Sequence, residues 1–185
     1  MTTKKLGKQT VAFASPPSIA GHANVVGKKE GEGPLRASFD LINQDDTFGE
    51  SSWEKAESAM QKLALQNALD KAKQAASTLD FIFAGDLLNQ CIASSFAIRG
   101  QGVPFFGLYG ACSTMAESLT LASMMLDGGF GEWAAAMASS HFCSAERQYR
   151  TPLEYGGQRT PTAQWTVTGA GAVVLAREGD GPYIT

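Results

Sequence analysis

The sequence predicts an α/β domain with the element order βαβαβαββ: a mainly parallel five-stranded sheet with helices on both faces. Three observations predict it. Residues 79–84, apolar but for Asp80, and 105–109 are apolar runs, as expected of strands buried on both faces. Each is followed by a segment with helical apolar spacing. Near the end, two strand-like runs, 133–140 and 164–177, follow one another with no helix between them, so that pair is free to run antiparallel.

Residues 10–14 form a short strand candidate, stopped by Ser15-Pro16-Pro17. Residues 18–50 are rich in glycine and polar side chains and read as a long excursion, with one extended piece at 35–39. A loop of that length inside a domain often carries binding function. Ser51-Ser52-Trp53-Glu54 has capping-box chemistry, with Ser51 capping and Glu54 reaching back. A helix then runs to about Ser77, its apolar face built from Ala56, Met60, Leu63, Ala64, Leu65, Leu69, Ala72 and Ala76.

The run 79–84 contains Phe81, Ile82 and Phe83 and ends at Gly85-Asp86. Residues 89–99 give a second helix, with Gly100 at its C-terminal cap. Pro104 opens the strand 105–109. Residues 112–126 give a third helix, apolar on nearly every side and so expected to be buried all round; Gly128-Gly129 stops it. Residues 133–140 fit helix by their alanines and strand by their position, and strand is preferred. Residues 144–163 read as a polar loop with Pro152, Gly156-Gly157 and Pro161, before the last strand.

The 185 residues suffice for one ordinary domain, and 44% hydrophobic content argues against disorder. A net charge of −3 leaves no electrostatic footprint for nucleic acid, and Lys4, Lys5 and Lys8 read as a solvated tail. No apolar run is long enough to span a membrane, and no secretory signal is visible. Cys91, Cys112 and Cys143 have neither metal-ligand nor disulfide-framework spacing, so no metal site, no cofactor and a reducing compartment are expected.

The chemistry concentrates at Gly110-Ala111-Cys112-Ser113. A strand runs into two small residues, a thiol and an apolar helix. A helix start offers unpaired N–H groups and the positive end of a dipole, which suits a thiolate or a bound anion. Free cysteine is also a common packing residue. What favours function is the place, beyond the carboxyl end of a sheet strand, where open parallel sheets gather ligands. His141, after a strand end, could reach the same pocket. His22, in the long loop, is less readable. Asp86 reads as a loop or cap residue. Gly169-Ala170-Gly171 lacks the third glycine of a dinucleotide fingerprint, and close backbone packing explains it better.

Gly110-Ala111-Cys112-Ser113 together with Thr168-Gly169-Ala170-Gly171-Ala172-Val173-Val174-Leu175 resembles the thiolase-like superfamily, over nearly the whole chain. More closely, Ala84-Gly85-Asp86-Leu87-Leu88-Asn89-Gln90, Tyr109-Gly110-Ala111-Cys112-Ser113-Thr114-Met115 and Ser139-Ser140-His141-Phe142 resemble the stage V sporulation protein AD family of endospore formers. The superfamily fold pairs two similar halves. The resemblance implies that residues 1–185 are the N-terminal half, with the second half absent from this chain.

It carries the nucleophilic cysteine to Cys112. The histidine and asparagine partners of the condensing enzymes belong to the second half. For the sporulation family it implies a non-catalytic subunit that binds dipicolinic acid, alone or with calcium. Such a subunit would serve a channel assembly for dipicolinate uptake, with other membrane subunits as partners, and would lie peripherally at the forespore or spore inner membrane. The ligand residues would be Cys112, Ala111, Gly110, Ser113 and His141, with Arg147 and Arg150 as candidate cations. The resemblance also implies a homodimer through the strand 105–109, and association or instability of residues 1–185 alone. The alternative is an acyl-CoA or acyl-carrier-protein condensing enzyme or acyltransferase with Cys112 as nucleophile. A papain-like Cys112–His141 hydrolase fits the element order poorly.

Overall fold

The computed structural model describes residues 4–88, 91–149 and 165–185. Its main sheet is built from β3 (Ser18–Val26), β4 (Leu41–Ile42), β5 (Phe81–Gly85), β6 (Phe105–Leu108), β7 (Trp133–Ser140) and β8 (Gly169–Ala176). Among the described residues the sheet has six strands in the order β4-β3-β8-β7-β5-β6. The pairs β3·β4, β5·β6 and β5·β7 are parallel, while β8 is antiparallel to both β3 and β7. The α/β class stands, with β8 making the sheet mixed. β4 has only two residues, so five strands carry it.

The N-terminal strand differs from the sequence reading. Residues 10–14 supply only β2 (Thr10–Val11), which pairs with β1 (Lys5–Leu6) in a separate two-stranded ribbon. The sheet strand is instead β3, within the stretch read as an excursion. Its Ala23, Val25 and Val26 are buried. Residues 35–39 hold a short 3₁₀ turn rather than extended chain. The four-residue helix α1 (Lys28–Gly31) follows β3.

Helices cover both faces. On one lies α2 (Trp53–Ala72), packed on β3, β8 and β7, with α3 (Ile92–Ile98) beside it. Val25, Met60, Ala64, Leu69, Ile82, Met137 and Val174 form the core there. The other face carries α4 (Thr114–Asp127), over Phe83, Ala134, Ala136 and Leu175. The strand alternation of Ile82 and Ala84 against Phe83 divides β5 between the two cores.

Local corrections have local causes. Ser52, not Ser51, caps α2: its side chain accepts the Lys55 amide at 3.4 Å. The helix stops earlier than expected, at Lys73, which takes a left-handed C-cap with φ 54°. α4 is buried along one stripe of mostly small residues, Thr114, Ser118, Ala122 and Leu126, while Met124 is exposed, so the helix is not covered all round. The start of the expected 144–163 loop is helical, as α5 (Phe142–Tyr149). Among the described residues nothing stands within 4 Å of where a Gly171 Cβ would be, so close packing does not explain it.

Candidate functional site

β5, β6 and β7 end side by side, and the chain leaving β6 turns back into α4. Gly85, last in β5, makes this crowding possible: a Cβ there would run into the Leu108 carbonyl oxygen and stand 2.6 Å from Thr114 Cγ2. Ala111–Ser113 form a 3₁₀ turn ahead of α4, so Cys112 sits two residues before the helix rather than within its first turn. Ala111 has φ 50°, a left-handed conformation that costs an alanine on the order of 1 kcal/mol. The turn is held by its own hydroxyls. Ser113 Oγ donates to Gly110 O at 2.7 Å and Thr114 Oγ1 donates to Ala111 O at 2.9 Å. Gly110 has no room for a side chain, since a Cβ would stand 2.6 Å from both Glu117 Oε2 and Ser113 Oγ.

The turn borders an open cavity of about 520 Å³, lined by Leu87, Ala111, Cys112, the β7 end Ala138-Ser139-Ser140, and Trp165 to Val167 with Gly169. Cys112 and Ala111 are therefore in its wall, with Gly110 and Ser113 supporting the turn behind them. Lys29 brings a cation against Trp165, its Nζ 2.9 Å from the ring centroid. Phe142 meets the same ring edge-on at 5.3 Å.

His141 is not among the lining residues. It is buried, its Nε2 lies 2.8 Å from Asp46 O, and its Nδ1 faces the Cys143 amide at 3.2 Å. A carbonyl can only accept and an amide N–H only donate, so these partners fix the neutral tautomer with the proton on Nε2. The imidazole holds the chain near Asp46 against the β7 end. Asp86 is also structural in its contacts. Its carboxylate accepts from the Leu88 amide at 2.9 Å and from the Ser94 amide and hydroxyl at 2.8 and 2.6 Å, capping the start of α3. Arg147 lies on α5, and Arg150 lies outside the described residues.

Behind the wall is a polar cluster that the sequence reading missed. Ser139 Oγ donates to Glu57 Oε1 at 2.7 Å and accepts from Gln61 Nε2 at 2.5 Å. Ser144 Oγ reaches Glu57 Oε2 at 3.1 Å. Glu57 and Gln61 are both fully buried, and Gln61 Oε1 has no hydrogen-bond partner among the described residues. Burial pushes the Glu57 carboxyl up to about 7, opposed by its bond from Ser139, reinforced by the charge of Asp86 and opposed again by Ser144. A helical signal for both residues existed: they share the face of Met60 and Ala64, which the apolar spacing assigns to the core.

The three thiols are separated by exposure. Cys112 is exposed, Cys143 half-buried and Cys91 buried. Burial, then the Asp86 charge, holds the Cys91 thiol above its ordinary value. Brief alkylation followed by peptide mass spectrometry is therefore expected to label Cys112 well before Cys91. Faster labelling of Cys91 would contradict the placement of the turn.

A sequence model of the family described as Stage V sporulation protein AD matches residues 7–185. The chain belongs to the stage V sporulation protein AD family. The Stage V sporulation protein AD of Bacillus subtilis (strain 168) is 42% identical over 174 residues, 94% of this chain. The match takes in 52% of that protein, so the chain spans about half the length of its curated relative. Family membership gives the protein a sporulation role.

Among solved structures, the 3-oxoacyl-[acyl-carrier-protein] synthase III of Aquifex aeolicus VF5 superposes with a TM-score of 0.55 at 18% identity, over 89% of this chain and 55% of that one. A variant of OleA from Xanthomonas campestris gives 0.56 at 20% identity, over 89% and 57%. At those identities the likeness is one of fold, and the fold is thiolase-like. No helix among the described residues is long and apolar enough to cross a membrane.

Proposed function

We propose that this stage V sporulation protein AD family member is a non-catalytic subunit that binds dipicolinic acid in the cavity at Cys112. It would serve a spore channel assembly used in dipicolinate uptake. The observation that carries the reading is the cavity itself: about 520 Å³, at the carboxyl ends of parallel strands, with hydroxyls on one wall and an aromatic ring on another. Dipicolinate is a planar aromatic dianion, alone or with calcium. Trp165 offers a face for its ring, and Lys29 stands against that wall. The commitment of both His141 nitrogens to backbone groups supports binding over catalysis, because that imidazole is not poised to take a proton from Cys112.

Docking on membrane subunits at the forespore or spore inner membrane belongs to the same proposal, as does a homodimer through β6. That strand is at the sheet edge, and Phe106 on it is 45% exposed. The competing reading is an acyltransferase, favoured by the exposed thiol and the ketosynthase-like fold. Calorimetry of the protein with dipicolinate and with acetyl-CoA separates the two. We expect saturable heat from dipicolinate and no acylation of Cys112. Acylation of Cys112 by acetyl-CoA, with no heat from dipicolinate, would sink the binding reading.

A further inference from the structure

Ser139 belongs at once to the cavity wall and to the buried cluster, and its single hydroxyl proton is already spent. With Glu57 ionised, Ser139 Oγ must donate to Oε1 (2.7 Å) while it accepts from Gln61 Nε2 (2.5 Å). The Gln61 amide cannot be turned round to relieve this. Its nitrogen also faces Gly85 O at 3.5 Å and Ser94 Oγ at 3.0 Å; the carbonyl can only accept, and the Ser94 proton is committed to Asp86 at 2.6 Å. What Ser139 shows the cavity in that state is a lone pair with a carboxylate behind it, which repels an anion.

With Glu57 protonated on Oε1 the bond reverses. Glu57 donates to Ser139, Ser139 accepts from both Glu57 and Gln61, and its own proton turns into the cavity as a donor. Ser144 does not block the change, since its hydroxyl lies 3.1 Å from the His141 carbonyl as well as 3.1 Å from Oε2.

We propose that Glu57, acting through Ser139, couples entry of a carboxylate into the Cys112 cavity to the uptake of one proton from solvent. Ser139 is the contact residue for the anion, and Glu57 is a positioning residue that sets which way the Ser139 hydroxyl points. The inference rests on the reading that a carboxylate enters this cavity. It adds the residue that receives it and the condition under which it is received.

Glu57 lies among few other charged groups in the described residues. Just past β5, Asp86 faces it with like charge; from the β7 end, the His141 backbone amide donates to its carboxylate. β8, α3 and β7 carry no Asp, Glu, Lys, Arg or His, β3 carries only the exposed His22, and α5 carries Glu146 and Arg147. On α2 itself Glu54 is one turn away. The carboxyl position, raised by burial to about 7, places the change near neutral pH.

The test uses Cys112 as reporter, and so does not depend on dipicolinate. Its alkylation rate is measured with iodoacetate, a carboxylate, and with iodoacetamide, its neutral analogue, by peptide mass spectrometry across pH. The ratio of the two rates cancels the ionisation of the thiol. We expect the ratio to fall roughly tenfold between about pH 6 and about pH 8, following the protonated fraction of Glu57. In Glu57→Gln, whose amide can donate at any pH, it should stay within about twofold. Ser139→Ala should also lose most of the pH dependence.

A ratio that does not move with pH in the unaltered protein, or that falls equally in Glu57→Gln, overturns the proposal. Full pH dependence in Ser139→Ala overturns the path through Ser139. A normal ratio profile with no dipicolinate heat would leave the proton coupling standing and remove dipicolinate as the ligand.

Discussion

Gly85→Ala is expected to destabilise the protein by about 3 kcal/mol or more, the upper range for forcing atoms into a packed interior. The added methyl would collide with the Leu108 carbonyl oxygen and stand 2.6 Å from Thr114 Cγ2. Neither neighbour is the free end of a flexible side chain. Leu108 O belongs to β6, and Thr114 opens α4 while its hydroxyl holds Ala111 O. The strands would have to separate, and the Cys112 turn would move with them.

Gly171→Ala is the control. It lies in β8 with open space where the methyl would go, so it should be neutral or slightly stabilising. Urea unfolding of both variants would show the contrast as a shift in midpoint with unchanged slope. Equal midpoints for the two would mean that the β5–β6 approach is not what fixes this corner of the fold.

That corner was legible in the sequence for a physical reason. Continuous apolar runs such as Phe81-Ile82-Phe83, set between turn residues, have few alternatives to a doubly covered strand. The strand-to-turn-to-helix passage at Gly110-Ala111-Cys112-Ser113 could be placed for the same reason. β3 was not legible because its sequence, Ser-Ile-Ala-Gly-His-Ala-Asn-Val-Val, is small and polar where strands usually show large side chains. The structure supplies the cause. α2 lies so close that a Cβ on Gly21 would run into Ala68 O and stand 2.8 Å from Ala72 N. Small residues there are a packing requirement, and in a single sequence they resemble a loop.

The site divides along similar lines. Cys112 could be placed beyond a strand end because its position in the chain order implies its position in space. His141 was readable only as a residue near a strand end. Which way the ring turns depends on Asp46 O, supplied by a segment 95 residues away in sequence. Glu57 and Ser139, 82 residues apart, become a pair only when α2 is laid across β7. The sequence holds a hint of this in the helical phase of Glu57 and Gln61, but a charged residue on an apolar stripe has several possible partners until the strand behind it is known.

Glu57 also predicts how the stability of the whole protein responds to pH. In the unfolded chain its carboxyl has its ordinary value of 4.5, and in the fold burial raises it to about 7. Between those values the native state holds a proton that the unfolded state releases. The stability tied to that proton is therefore complete below about pH 4.5 and is lost as pH rises through about 7, a difference of about 3 kcal/mol by pH 8. Groups shifted the other way act elsewhere. Asp40 is held below its usual value because the bonds from Lys71 and the Asn24 amide outweigh its burial, so its contribution fades only in acid.

Unfolding by urea at about pH 5 and about pH 8 should show the unaltered protein losing most of that 3 kcal/mol across the interval. Glu57→Gln keeps the shape and cannot ionise, so its stability should stay nearly level and exceed that of the unaltered protein at the alkaline end. If the variant follows the same slope as the unaltered protein, then Glu57 is not the group that titrates, and the buried cluster behind Ser139 must stay in one charge state across the neutral range.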